Sequence, residues 1–185
     1  MAVKESADLL RLLAQPKTRA KAFSEVVLLY QERLYWHIRK MVLSHDDAHD
    51  VLQNTFMKAW RGLDNFRGDA QLSTWLYKIA TNETITFLNT LRMHNLTGID
   101  DVESLLADQL KADPYFSGNE AEMKLQEAIL SLPEKQRLVF NMKYFDDLKY
   151  EEMEKILDTS VGALKASYHH AVKKIELIVR QSLNH

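Results

Sequence analysis

From Phe23 to Met41 the apolar side chains return every three or four positions: Phe23, Val26, Val27, Tyr30, Leu34, Ile38 and Met41 form one stripe. That is the period of an amphipathic helix and not of a strand. The rhythm then repeats. Ser44 and Asp47 make a capping box ahead of Ala48, Val51, Leu52, Thr55, Phe56, Ala59 and Trp60. Ser73 or Thr74 opens a third helix, with Trp75, Leu76, Ile79, Phe87, Leu88 and Leu91 as its apolar positions. With five Gly and three Pro in 185 residues, and no sustained alternation of apolar and polar positions, little in the chain interrupts helices or favours sheet. The expected fold is all-α. Residues 1–22 read as a short additional helix or arm.

A second run, from Ser131 to Ile175, has the pattern helix, turn, helix. Ser131 stands three residues before Glu134 with Pro133 between them, a second capping-box pattern. Leu138, Met142 and Phe145 then face inward, with Lys135, Arg137 and Lys143 outward. Tyr150, Met153, Ile156 and Leu157 give the next helix its core face, and Asp158 suits a left-handed turn residue. Thr159 or Ser160 caps the last helix, whose stripe is Val161, Leu164, Tyr168, Ala171 or Val172, and Ile175. Its free face carries Lys165, Ser167, His169, His170, Lys173 and Lys174, donors suited to phosphates and base edges. The helix before it is acidic, with Asp147, Glu151, Glu152, Glu154 and Asp158 against Lys149 and Lys155. Such asymmetry favours one orientation on DNA. An ordinary helical hairpin with a solvated charged face would show the same pattern.

Between the two runs lies an acidic stretch. Residues 96–122 hold Asp100, Asp101, Glu103, Asp108, Asp113, Glu120 and Glu122 against Lys111, along with Gly98, Pro114 and Gly118. Without an extended amphipathic face, this stretch reads as a linker. It divides the chain into an arm (1–22), a first helical domain (23–95), the linker (96–122) and a second domain (123–185). The overall net charge is −2, low for a protein that grips DNA alone, so a larger partner is expected to supply part of the hold.

The balance of 46% hydrophobic and 27% charged residues is that of a folded globular chain. There is no Cys, which excludes disulfides and thiolate metal sites. No segment has the apolar length of a signal peptide core or a membrane span, so a cytoplasmic location is expected. His45 and His49 are four apart and His169 and His170 adjacent, but no third ligand accompanies them and no H-E-x-x-H pattern occurs. No cofactor, metal or catalytic grouping is expected, and the chain reads as a non-enzyme.

The stretch DDAHDVLQNTFMKAWRGLDNFRGDAQLSTWLYKIATNETITFL, Asp46 to Leu88, taken with LPEKQR and the helix-turn-helix that follows it, resembles the extracytoplasmic-function (ECF) sigma factors of bacteria. The likeness spans roughly residues 20–180, in the family's order, with a linker between the modules. It implies an adaptor that binds core RNA polymerase, recognises the minus-ten and minus-thirty-five promoter elements, assists melting and leaves after initiation. It also implies an anti-sigma partner, and a linker that threads near the polymerase active site.

Residue by residue, the resemblance places Asp47, Asp50, Val51, Gln53, Asn54 and Phe56 on the surface for the clamp helices of the largest polymerase subunit. Acids there suit a basic partner. Asn54 departs from a common Glu, and without the likeness Val51 and Phe56 would read as core. Phe66 and Arg67, in the loop Asn65 to Asp69, together with Lys78 and Asn82, match the minus-ten part. Asn82 lies by the pocket that takes a flipped base, and its amide can both donate to and accept from a base edge. Lys78 suits a phosphate and Phe66 an unstacked base; alternatively Phe66 staples the loop and Asn82 caps a bend. Primary sigma factors carry two adjacent Trp where this chain has Trp75 and Leu76, which implies melting limited to promoters of stringent sequence, with Trp75 mostly core. Lys143, Lys165, Ser167, His169, His170 and Lys173 match positions facing the minus-thirty-five element, where relatives often carry Arg. Lys lacks the bidentate fork of Arg, so the base preference differs. The other functions open to such a chain are a stand-alone helix-turn-helix regulator and a sigma antagonist without DNA contact.

Overall fold

The computed structural model describes residues 7–66, 68, 70–94, 99–112 and 120–183. Among these, every regular element is helical: α1 (Ala7–Ala14), α2 (Pro16–Val42), α3 (His45–Gly62), a 3-10 turn (Leu63–Asn65), α4 (Leu72–His94), α5 (Ile99–Ala112), α6 (Glu120–Leu130), α7 (Glu134–Tyr144), α8 (Tyr150–Leu157) and α9 (Val161–Leu183). The expected all-α, two-unit architecture is what the chain adopts, with α1–α4 in one unit and α6–α9 in the other.

Helix boundaries follow local chemistry. Pro16 sits at the first position of α2, where its missing N–H costs nothing, so the helix begins two turns before the stripe expected from Phe23. Ser44 accepts from the N–H of Asp47 and starts α3. Ser160 accepts from the N–H of Ala163 and starts α9, which settles the choice between it and Thr159. Ser131 does not cap α7. Its hydroxyl donates to the carbonyl of Ala128 at the end of α6, and Pro133 precedes α7 without a side-chain cap. Asp158 ends α8 with φ 50°, as its short polar side chain permits.

Val26, Tyr30, Leu34 and Ile38 of α2, Val51 and Ala59 of α3, and Leu72, Leu76 and Leu88 of α4 form the first unit's core. Of the arm, residues 7–14 form α1, which adds Leu9 and Leu13 to this core. That core does not stop at the unit boundary. Leu138, Val139 and Met142 of α7, Leu148, Met153 and Ile156 of α8, and Leu164 of α9 are buried in the same cluster. A second cluster, with Ile129, Leu132, Phe140, Ala171 and Ile175, belongs to the second unit alone.

The linker contains structure that its sequence did not announce. Helix α5 buries Leu106 and Leu110 against Leu43, at the end of α2, and Leu130, at the end of α6. It therefore touches both units. Leu43 takes φ 58°, a conformation that costs a residue with a Cβ roughly 1–2 kcal/mol. Burial of its side chain under α5 offsets that cost at about 1.5–3 kcal/mol for a leucine.

Candidate nucleic-acid and partner interfaces

Helix α3 presents the first candidate surface. Asp46 and Asp47 lie in its first turn, where the helix dipole favours negative charge. Asp50, Gln53 and Asn54 are exposed on one face, while Val51 is buried and Phe56 half-buried. Val51 thus takes the core alternative. Phe56 packs edge-on to Phe23 at 6.3 Å between centroids, and Phe23 packs on Trp60 at 5.2 Å. Met57 and Trp60 extend the acidic face with exposed apolar surface, 44% and 42% accessible. Reading Trp60 as core missed it. The signal was its place at the edge of the stripe, seven residues on from Gln53.

Beside this face, the Tyr35 hydroxyl lies 2.8 Å from His45 Nδ1, and the His45 and His49 rings lie 4.5 Å apart. Among the described residues no three His, Cys, Asp or Glu side chains group as metal ligands.

The second candidate surface is the loop before α4 and the helix itself. Arg67 and Asp69 lie outside the described residues. Gly68 takes φ 77°, which a side chain would resist. Phe66 is half-buried against Trp75, centroids 4.9 Å apart. Trp75 in turn lies so close to Gly62 that a Cβ there would meet its ring at 3.2 Å. The indole is therefore clamped between Gly62 and Phe66, which fits a structural part better than a free wedge. Asn82 is exposed on α4, one turn beyond Lys78. Lys78 Nζ donates to both carboxylate oxygens of Asp158, at 3.0 and 2.9 Å. The two sit in different units.

More of this seam is polar. His37 Nδ1 lies 2.6 Å from Asp146 Oδ2, and His37 Nε2 lies 3.0 Å from Thr81 Oγ1. Lys40 Nζ reaches the other Asp146 oxygen at 3.3 Å, and Arg92 pairs with Glu134. Tyr77 packs against the His37 ring. Burial, and then the Asp146 carboxylate, push its phenol well above the ordinary value.

The third surface is α9. Lys165, His169 and Lys173 are spaced four apart and exposed, and His170 is exposed beside them. Ser167 is half-buried at the margin of the Leu164, Ala171 and Ile175 stripe. Lys165 Nζ stands 5.6 Å from the Tyr150 ring centre. Lys143 is engaged within its own unit, donating to the Leu148 carbonyl at 3.1 Å. Arg137, expected to face outward, is buried and donates to the Leu130 carbonyl. Lys174 donates to the carbonyl of Ser131.

Comparison with known proteins fits this layout. Residues 26–93 match Sigma-70 region 2 and residues 122–175 match Sigma-70, region 4. The chain is 30% identical over 156 residues to the ECF RNA polymerase sigma factor SigW of Bacillus subtilis, covering 80% of this chain and 83% of that one. It is 32% identical over 166 residues to the ECF RNA polymerase sigma-E factor of Escherichia coli, covering 84% and 85%. Two solved structures share the fold. CnrH, solved in complex with the cytosolic domain of CnrY, has a TM-score of 0.70 at 21% identity, covering 95% of this chain and 99% of that one. The sigma factor RpoE, solved in complex with the anti-sigma factor NepR from Bartonella quintana, has a TM-score of 0.67 at 20% identity, covering 86% and 98%. With both regions present, in order, on an all-helical frame, the chain belongs to the ECF RNA polymerase sigma factors, non-enzymatic proteins that direct promoter-specific transcription initiation.

Proposed function

We propose that this sigma factor holds core polymerase through α3, opens the minus-ten element with the loop before α4 and with α4 itself, and reads the minus-thirty-five element with α9. The observation that carries the reading is the α3 face, where Asp47, Asp50, Gln53 and Asn54 surround a partly exposed aromatic edge and Val51 supports them from beneath. An acidic rim around apolar surface suits the basic clamp helices of the largest polymerase subunit. Reversing one acid there should cost core binding heavily. Asp50→Arg with Gln53→Ala is expected to abolish co-elution with core polymerase, and unchanged co-elution would refute the assignment.

On α4, Asn82 is the base-reading residue, with Phe66 and Arg67 of the loop and Lys78 as its accompanying contacts. Loss of a two-point amide contact to a base costs about 1–3 kcal/mol, roughly 5- to 150-fold in the population of open complex. Asn82→Ala should therefore reduce permanganate reactivity of the melted bases while core binding stays intact. On α9, Lys165, His169 and Lys173 lie along the groove, with His170 beside them and Ser167 and Lys143 at the margin as phosphate contacts. The fold relatives were solved with CnrY and with the anti-sigma factor NepR, which supports an anti-sigma partner for this chain too. Among the described residues no helix is long and apolar enough to cross a membrane, in keeping with action in the cytoplasm, where polymerase works.

A further inference from the structure

His45 and His49 of α3 are exposed and four residues apart, the spacing that sets two side chains one above the other on a helix face. Tyr35 of α2 touches both. We propose that this pair is a chelating site for a divalent transition-metal ion of tetragonal geometry, copper or nickel, and that filling it weakens the polymerase face beside it. The second half rests on the assignment of α3 to polymerase; the first does not.

Ring spacing carries the choice of metal. With metal–nitrogen bonds of about 2.0–2.1 Å, two imidazoles bound at a right angle put their ring centres about 4.5 Å apart, and a tetrahedral angle puts them about 5.2 Å apart. The His45 and His49 centres are 4.5 Å apart. Right angles between nitrogen ligands belong to the square-planar or tetragonal shells of Cu2+ and Ni2+, and imidazole suits both ions. The other histidine pair differs. His169 and His170 have centres 6.2 Å apart, and as sequence neighbours on a helix they do not face each other.

Tyr35 organises the two rings. Its hydroxyl lies 2.8 Å from His45 Nδ1, and its ring packs on His49 with centres 4.9 Å apart. When the Nδ1–H donates to the phenol oxygen, the lone pair of His45 lies on Nε2, where a metal can take it. A group that fixes the tautomer in this way is the usual support of a metal-bound histidine. Charge favours the site as well. Asp46, Asp47 and Asp50 share its two turns, and their negative potential offsets the positive end of the helix dipole that a cation meets there. Two nitrogens leave the remaining positions of the shell to water.

The consequence follows from register. His45, His49 and Gln53 succeed one another at four-residue steps, so a bound ion sits on the strip that leads into the polymerase contacts, next to Asp50. Two added positive charges there oppose a basic partner.

The absence of Cys removes the strongest competing ligand, so the full chain, prepared without a histidine tag, can be titrated directly. Cu2+ should give an electron paramagnetic resonance spectrum coupled to two nitrogens. Calorimetry should show one site, tighter for Cu2+ than for Ni2+. Tyr35→Phe should weaken it about tenfold and His49→Gln or His45→Gln by more, while His169→Gln with His170→Gln should leave the metal affinity unchanged. Circular dichroism of the metal-free variants checks that each is folded. Adding either metal should lower co-elution of the unaltered chain with core polymerase and leave that of His49→Gln as it was. Coupling to a single nitrogen, or an undiminished affinity in His49→Gln, overturns the site. A two-nitrogen complex that co-elutes as well as the metal-free chain overturns its effect on polymerase. Failure of the α3 assignment shows separately, as metal-free co-elution that survives Asp50→Arg with Gln53→Ala.

Discussion

Helices α4 and α9 carry the two sets of residues proposed to touch DNA, and they sit in opposite circumstances. On α9, Lys165, His169, His170 and Lys173 are all exposed. On α4, Lys78 is bound to Asp158, Thr81 is tied to His37, and the helix packs along α8. The duplex reader is therefore open while the melting helix is partly covered. The order of events at a promoter explains why that is workable. Reading a duplex needs only a projecting helix, whereas capturing an unstacked base needs a strand already held in place by polymerase. Net charge agrees with this division. At −2 overall, the chain has little unspecific hold on DNA by itself.

The largest effect should come from breaking the core that joins the two units. Leu76 of α4 is completely buried, and Leu76→Ala should cost about 2–5 kcal/mol. Because Met142, Met153 and Ile156 share its cluster, the loss should lower a single cooperative thermal transition followed by circular dichroism. Two separate transitions, with only one displaced, would show that the units are energetically independent and that the covering of α4 is incidental.

The covering itself was not legible in the sequence, while most of the helices were. The stripes of α2, α3, α4, α8 and α9 repeat often enough to fix them, and Ser44 and Asp158 act as their chemistry predicts. Helix α5 escaped because its buried side rests on Leu106 and Leu110 amid acids, with Gly98 and Pro114 beyond its ends. Two buried leucines do not make a recognisable period. Arg137 and Ser131 misled for a related reason: each has a partner on the α6 end, a tertiary contact that helical spacing does not encode. The acids of α8 gave the same difficulty. A charged helix face reads as solvated until its partners are known: Asp158 meets Lys78 of α4, while Glu152 and Glu154 accept from the backbone N–H groups of Lys149 and Val161. For the candidate surfaces, the likeness to relatives singled out Asp50, Gln53 and Asn82 as the contacts proposed above, whereas periodicity alone left Val51 and Phe56 as core and missed Met57.

A smaller effect separates the two helices directly. If Lys173 is open and Lys78 is covered, binding of the free chain to random duplex DNA should respond to one and not the other. Lys173→Ala should reduce the slope of log affinity against log salt by about one, and Lys78→Ala should leave it unchanged. In the holoenzyme at a promoter both substitutions should matter. Equal responses in the free chain would mean that α4 is as available as α9.

The smallest expected effect concerns how α9 is set. Its first turn is fixed by Ser160, whose hydroxyl accepts from the N–H of Ala163 at 3.3 Å, two residues after the left-handed Asp158. Removing an N-cap of this kind costs about 1 kcal/mol. Ser131, by contrast, only donates to the carbonyl of Ala128 and supports no helix start. Ser160→Ala should therefore lower the midpoint of thermal unfolding by a few degrees and weaken minus-thirty-five binding, while Ser131→Ala should leave both nearly unchanged. The pair tests whether the open helix owes its position to local capping. If the two substitutions behave alike, α9 is set by packing on α6 and α7 instead, and its exposure is a property of the whole second unit.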